Sequence, residues 1–318
     1  MTDKNLRRLG STDLMIAPLV LGGNVFGWTA DRTASFAVLD AFVDQGGTMI
    51  DTADVYSAWV DGHQGGESEA MIGEWLRARG KRDRVLIATK VGMLPGEGGE
   101  KLAPARIVAA AEASLKRLGT DHIDLYFAHQ DDEDQPQEAV MEAFARLVEA
   151  GKVRVIGASN FHAARLKSAN DAARDAGLPR FHVLQPEYNL VSRHKFEGEL
   201  QDYCVTENIG VVPYYGLAAG FLTGKYRSEA DLSQSVRGAR MGELLHGKGA
   251  DVLAALDDVA EEVRATPAQV ALAWLMAQAG VTAPIASATS VTQLSELTPA
   301  MHLTLTDDQM ARLDASGA

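Results

Sequence analysis

The sequence predicts an α/β fold of the (β/α)8 TIM-barrel type, and three observations carry that expectation. From about residue 17 onward, short β-rich apolar runs alternate with longer segments of helical period, the pattern of βα units around a parallel sheet. Eight such repeats can be counted in a chain of 318 residues, enough for a barrel that typically needs ~250 residues. No linker or shift of composition divides the chain, so one domain over residues 1–318 is expected.

The elements follow in order. NLRRLGSTDLMI, residues 5–16, reads as two short strands around a Gly-Ser-Thr-Asp turn, an N-terminal β-hairpin placed to close the barrel bottom. Barrel strands are expected over 17–23, 48–51, 85–90, 123–129, 153–159, 182–188, 209–215 and 282–288. Helices are expected over 33–45, 66–80, 105–119, 137–151, 162–177 and 195–208. Their punctuation agrees: Thr33 and Ser68 lie near starts, Pro104 and Pro136 suit first turns, and Gly46, Gly80, Gly119, Gly151, Gly177 and Gly210 follow the ends. Residues 221–250 form a long polar loop after the seventh strand, a length that in a compact domain marks function or disorder. Extra C-terminal helices over 251–265 and 266–278 come next.

Composition excludes several classes. A net charge of -13 with no dense basic block argues against a nucleic-acid surface, and the partners expected are small molecules. The single cysteine, Cys204, permits no internal disulfide and reads as a small buried residue in a reducing compartment. MTDKNLRRLG lacks an apolar signal core, and no apolar run approaches the ~20 residues that span a bilayer, so a soluble cytoplasmic protein is expected. GFLTGKY is one residue short of a phosphate-binding loop and has Tyr226 where Ser or Thr would hold magnesium. GGNVFG is not the dinucleotide fingerprint, and the histidines show no paired metal-ligand spacing.

Barrels of this kind place their active sites at the C-terminal ends of the strands. Those ends hold Gly22-Gly23-Asn24, Asp51 with Tyr56, Lys90, His129, Ser159-Asn160, Gln185, Tyr214 and Ser287. Singly, Asp51 reads as a turn residue, Tyr56 as packing, Lys90 as a solvated charge and His129 as a satisfied core histidine. Together, an acid, a phenol, an amine and an imidazole on consecutive strands converge on one side of the mouth. A phenol with its ordinary pKa of ~10 exchanges protons poorly at neutral pH. A nearby ammonium lowers that pKa, and a carboxylate keeps the ammonium charged and aimed. His129 beside the phenol would orient a carbonyl oxygen or help pass the proton.

The stretches GGTMIDTADVYS, GESEAMIGEWLRARGKRDRVLIATKVG, ASLKRLGTDHIDLYFAHQDD, GKVRVIGASNF, VLQPEYNL and GFLTGKY resemble the aldo-keto reductases, in blocks that run along nearly the whole chain. The resemblance implies a barrel that binds a nicotinamide cofactor across its mouth and transfers hydride reversibly between it and a carbonyl or alcohol substrate. In that scheme Tyr56 is the general acid of reduction, Lys90 and Asp51 tune it, and His129 positions the carbonyl. Ser159, Asn160 and Gln185 would hold the carboxamide, Tyr214 would stack on the nicotinamide, and Gly23 and Asp51 would border it. Gly216, Leu217, Ala218, Gly220, Leu222, Gly224 and Lys225 would cover the pyrophosphate, glycine letting backbone approach closely.

At the adenosine end, Ser287, Ala288, Thr289, Ser290 and Gln293 stand where members preferring NADPH often carry Lys or Arg. Lys225, Arg227, Arg237 and Arg240 of the long loop are the candidates to pair a 2'-phosphate. NADPH/NADP+ is the expected cofactor on family grounds, with NADH its competitor. Tyr215 replaces the first residue of a Ser-Pro pair common in relatives and would stand in the pocket wall. Trp28 and Trp59 would face substrate, packing being the equal reading. Potassium-channel β subunits resemble the same family, bind the cofactor and serve chiefly as partners, so a cofactor-binding regulatory protein is the alternative to an enzyme.

Overall fold

The computed structural model describes residues 5–234 and 241–317. A two-stranded antiparallel hairpin comes first, β1 (Arg7–Arg8) with β2 (Met15–Ile16). Eight parallel strands follow: β3 (Val20–Gly22), β4 (Met49–Asp51), β5 (Leu86–Val91), β6 (Ile123–Ala128), β7 (Val153–Ser159), β8 (Val183–Gln185), β9 (Gly210–Val211) and β10 (Ile285–Ala286). They lie in the order β10-β3-β4-β5-β6-β7-β8-β9. The ends of that order meet, because the amides of Val211 and Thr282 bond to Gly280 and Val211 oxygens at 3.2 and 2.8 Å, and Ile285 N–H reaches Pro213 O at 2.8 Å. The sheet is thereby a closed (β/α)8 barrel.

Helices α1 (Arg32–Asp44), α2 (Glu67–Arg79), α3 (Pro104–Leu118), α4 (Gln137–Glu149), α5 (Ala163–Asp175) and α6 (Glu199–Thr206) return the chain between strands. α7 (Lys248–Val263) and α8 (Pro267–Ala277) fill the last return; α9 (Val291–Leu297) and α10 (Asp307–Ser316) close the chain. Thr266 and Thr306 start α8 and α10 with reciprocal capping boxes to Gln269 and Gln309, which satisfy amides a helix start would otherwise leave bare.

Strand periodicity organises the two apolar layers. Side chains alternate between faces, so Met49, Ala88, Leu125, Phe127, Val155 and Val183 fill the barrel while Ile50, Ile87, Tyr126 and Ile156 face the helices. Leu9, Leu14 and Ile16 from the hairpin plug the bottom of the interior layer, as expected.

Several boundaries differ from the sequence expectation. The first, sixth, seventh and eighth barrel strands are shorter than expected because Pro18, Pro186, Pro213 and Pro284 carry no amide for the ladder. Asp31, not Thr33, caps α1 by accepting from Ala34 N–H at 2.8 Å. Ser68 lies inside α2, and its hydroxyl bonds to Gly23 O at 2.7 Å. Residues 195–208 are not one helix: Gly198, at φ 90°, separates a short turn from α6, and Asn208, not Gly210, takes the left-handed position. Gly210 belongs to β9.

The hairpin seals the barrel through a close backbone approach. Gly10 has φ 56°, and a Cβ there would lie 2.2 Å from Gly210 N. Gly10→Ala therefore forces both a left-handed alanine and an overlap with the barrel wall. It should cost at least about 1–3 kcal/mol in urea unfolding. Because this is the face opposite the mouth, kcat per folded molecule should be unchanged.

Candidate active site

The two-residue period that fills the barrel also delivers its mouth. Asp51, Lys90, His129, Ser159 and Gln185 each follow by two an inward position: Met49, Ala88, Phe127, Gly157 and Val183. Tyr214 and Ser287 stand likewise to Val212 and Ile285. Their side chains thus converge above the apolar plug.

Lys90 is the hub, 0% exposed. Its Nζ donates to Asp51 Oδ2 at 2.7 Å, to Thr52 O at 2.8 Å and to Tyr56 OH at 3.1 Å. Burial works against the ammonium, but Asp51 and Tyr56 outweigh it and hold the lysine above its ordinary range. The expected acid-amine-phenol chain is assembled. Its electrostatic outcome differs from expectation: burial raises the Tyr56 pKa and Asp51 adds to that, while Lys90 pulls it down without prevailing. The phenol stays protonated in neutral solution.

His129 stands beside the phenol, ring centroids 6.0 Å apart. Burial, and secondarily Lys90, hold its pKa well below the ordinary value, so the imidazole is neutral. Its Nδ1 is buried with no hydrogen-bond partner among the described residues. A neutral imidazole carries one ring N–H, a donor suited to a ligand oxygen.

A second chain of bonds runs around the mouth. Gln185 donates Nε2 to Asp51 Oδ1 at 2.8 Å, which keeps its amide oxygen as an acceptor. Ser159 hydroxyl bonds to Gln185 O at 2.8 Å. Asn160, at φ 57°, donates to His129 O at 2.9 Å and accepts from Tyr214 OH at 2.8 Å. Asn160 and Tyr214 also border a cavity of about 550 Å³ walled by Phe161, Pro186, Glu187 and Phe196. Both carboxylate oxygens of Asp51 are engaged, Oδ2 by Lys90 and Oδ1 by Gln185.

Gly23 has its own backbone satisfied, N–H to Asp51 O and C=O from Ser68. The loop after Tyr214 turns through consecutive left-handed residues Ala218, Ala219 and Gly220, and the amides of Ala218 and Gly220 donate to Tyr215 O and Leu217 O at 2.7 and 2.8 Å. Lys225 Nζ lies where a Cβ on Gly220 would be 3.1 Å away, so glycine leaves the ammonium over that backbone. Gly216 is packed against Leu275, while Gly224 ends the turn at φ 77°. Leu217 packs at the core's edge; Leu222 and Ala288 are in the core and present only backbone.

Arg227 is committed elsewhere, with both terminal nitrogens on Asp257 at 2.7 and 2.8 Å. Ser287 hydroxyl bonds to Asn24 Oδ1, and Thr289 and Gln293 bond to each other. Arg237 and Arg240 lie outside the described residues.

Aromatic rings surround the phenol. Trp59 is 5.8 Å from Tyr56, and Trp28 is 5.5 Å from Trp59, both edge-on. Trp59 and Tyr215 are 50% and 45% exposed. Sequence reasoning missed Glu67, whose carboxylate accepts from the amides of Ser57, Gln64 and Gly65 and so shapes the loop bearing Tyr56 and Trp59. The Gly-Gly-Glu sequence was its only local sign. Asp131, Glu133 and His162 bring possible metal ligands within 4.8 Å of one another, but Arg165 already holds both oxygens of Asp131.

Among the described residues, no helix is long and apolar enough to cross a membrane. The family model for the Aldo/keto reductase family matches residues 18–318. Similar proteins include norsolorinic acid reductase B of Aspergillus parasiticus, 32% identical over 96% of this chain and 81% of its own. The uncharacterized oxidoreductase YrpG of Bacillus subtilis is 34% identical over 96% of this chain and 93% of its own. An aryl-alcohol dehydrogenase of Phanerodontia chrysosporium, named for NADP(+), is 32% identical over 95% and 82%. A match of this extent, on a barrel with this cluster at its mouth, settles the kinship: the chain belongs to the aldo/keto reductase family of oxidoreductases.

Proposed function

We propose that this protein reversibly reduces an aryl aldehyde or ketone to its alcohol, with Tyr56 as general acid and NADPH as the favoured hydride donor. The observation that carries this reading is Lys90 Nζ bonded at once to Tyr56 OH and Asp51. A protonated phenol donates to the carbonyl oxygen as negative charge develops there, and the adjacent ammonium stabilises the phenolate left behind. In the alcohol direction the same phenolate takes the proton back. Neutral His129 orients the oxygen beside Tyr56 and adds no competing charge.

When bound, the reduced nicotinamide supplies the hydride. The residues fit such a group: the Lys225 ammonium, lying over the Gly220 backbone, offers a cation to a pyrophosphate. Ser159, Asn160 and Gln185 would hold the carboxamide, and Tyr214 would lie against the ring. Trp28, Trp59 and Tyr215 favour a flat substrate, which agrees with the aryl alcohol in one relative's name.

Tyr56→Phe should lower aryl-aldehyde reduction about 100-fold or more, followed as loss of reduced-nicotinamide absorbance, with cofactor affinity retained. Wild type that binds cofactor but reduces no carbonyl in a broad panel would instead favour a regulatory role. Wild-type reduction should persist into alkaline solution and fade only above the raised Tyr56 pKa, while alcohol oxidation rises over the same range.

Lys90→Met should abolish most turnover and also cost about 3–5 kcal/mol in urea unfolding, since it leaves Asp51 as a buried unpaired charge. Adding Asp51→Asn should restore stability without restoring activity.

With Arg227 held by Asp257, discrimination at the 2'-phosphate should be modest. Titration of tryptophan fluorescence should give NADPH and NADH affinities within about tenfold, or 1.4 kcal/mol. A preference above about a hundredfold would mean that other long-loop cations supply the missing charge.

A further inference from the structure

Behind the mouth lies a second set of charges that the proposed chemistry does not use. Asp54 is two residues before Tyr56, on the segment leaving β4, and is 0% exposed. Its Oδ2 accepts from Arg106 NH2 at 3.3 Å, and its Oδ1 is buried without a hydrogen-bond partner. Its amide donates to Lys90 O at 3.2 Å, so its backbone is already tied to the strand that carries the ammonium.

Arg106, on α3 and 5% exposed, spreads its guanidinium over two segments. Nε donates to Leu94 O at 3.0 Å and NH1 to Glu97 O at 3.3 Å, both on the stretch leaving β5 just beyond Lys90. Gly96 leaves the space this requires, since a Cβ there would lie 2.6 Å from Arg106 NH1.

We propose that Arg106 and Asp54 are positioning residues that hold the Lys90–Tyr56 pair in register by fastening the segment after β5 to the segment after β4. The inference rests on the reading of Tyr56 as the proton donor. A planar guanidinium suits the task because its fork reaches three acceptors in fixed directions, which a point-charge ammonium does not. The clamp strengthens when Asp54 is ionised, because the bond to Arg106 becomes charge-assisted.

The surroundings make that ionisation accessible. Facing Asp54 are Glu69 from α2, Arg106 and Arg117 from α3, and Tyr126 from β6. On β5, Thr89 gives its hydroxyl to Glu69 at 2.6 Å, while Lys90 faces the opposite way into the barrel. Burial first and Glu69 second push the Asp54 carboxyl up to about 7, against the pull of both arginines.

The test uses Asp54→Asn, an isosteric change that keeps an acceptor for Arg106, and Arg106→Lys, which keeps the charge and loses the fork. Circular dichroism and melting curves verify that each variant is folded. The first readout is the phenolate absorbance of Tyr56, isolated by subtracting the Tyr56→Phe form in each background; it needs no turnover. The second is the pH profile of kcat and KM for an aryl aldehyde with saturating NADPH.

In wild type, kcat should fall as the pH drops through about 7. Asp54→Asn should lose that inflection. Arg106→Lys should lower kcat on the order of tenfold, as small misplacements of reacting groups do, with cofactor affinity unchanged. Both variants should shift the Tyr56 titration.

Folded variants with a wild-type Tyr56 titration and a wild-type kcat profile would overturn the clamp, as would an effect confined to cofactor affinity. A wild type that turns over no carbonyl would defeat the proposed activity, and the Tyr56 titration alone would then decide the clamp.

Discussion

A buried ammonium with three acceptors is the constraint around which the mouth of this barrel is built. Lys90 cannot sit at the end of an interior strand face without partners, because an isolated charge in that environment costs many kcal/mol. Asp51, Thr52 O and Tyr56 OH meet the requirement from the neighbouring segment, and meeting it fixes where that segment runs. Gln185 then occupies the other oxygen of Asp51, which draws β8 into the same set of bonds. Beyond it, Ser159 and Asn160 bond to the backbone oxygens of Gln185 and His129, and Tyr214 bonds to Asn160, so the rest of the rim is tied to the barrel backbone.

The parity of the strands makes this possible without sacrificing the core. Inward positions are apolar near the hairpin plug and polar two residues later, so one face of a strand serves both packing and chemistry. Outward positions carry a separate polar layer: Thr89 meets Glu69, and Glu69 meets Arg117 at 2.6 Å. α2 comes close enough for that because Gly73 lies against the backbone of Arg117, where a Cβ would be 2.2 Å from its oxygen. The polar layer behind the strands belongs to the same design problem as the mouth, since both supply partners to charges that water does not reach.

Burial is the stronger hand in the electrostatics. Lys90 pulls the Tyr56 pKa down, as its proximity demands, yet removal from water prevails and leaves the phenol protonated. The same desolvation neutralises His129. In the proposed reaction, a protonated phenol and a neutral imidazole side by side would match the needs of a carbonyl oxygen that gains negative charge. The aromatic rings of Trp28, Trp59 and Tyr215 continue outward from that pair as a partly exposed apolar surface.

Much of this was legible in the linear chain. The alternation of strand and helix patterns carried the barrel, the hairpin was visible around its Gly-Ser-Thr-Asp turn, and the polar strand ends named Asp51, Tyr56, Lys90 and His129. Strand lengths were overrun because an apolar run does not reveal where a proline interrupts the ladder, and Asp31 was missed as a cap in favour of Thr33. The net direction of the Tyr56 pKa was not legible, because it depends on how much protein surrounds the phenol. Nor were Glu67, whose partners are backbone amides of an irregular loop, and the Asp54–Arg106 ion pair, which joins two segments that come together only on folding. Sequence by itself determined which chemical groups stand at the strand ends, since a period of two fixes their face. Only tertiary structure decided which of them are dry, which are paired and which arginines are already taken, because burial and distance are properties of the closed barrel and not of any one strand.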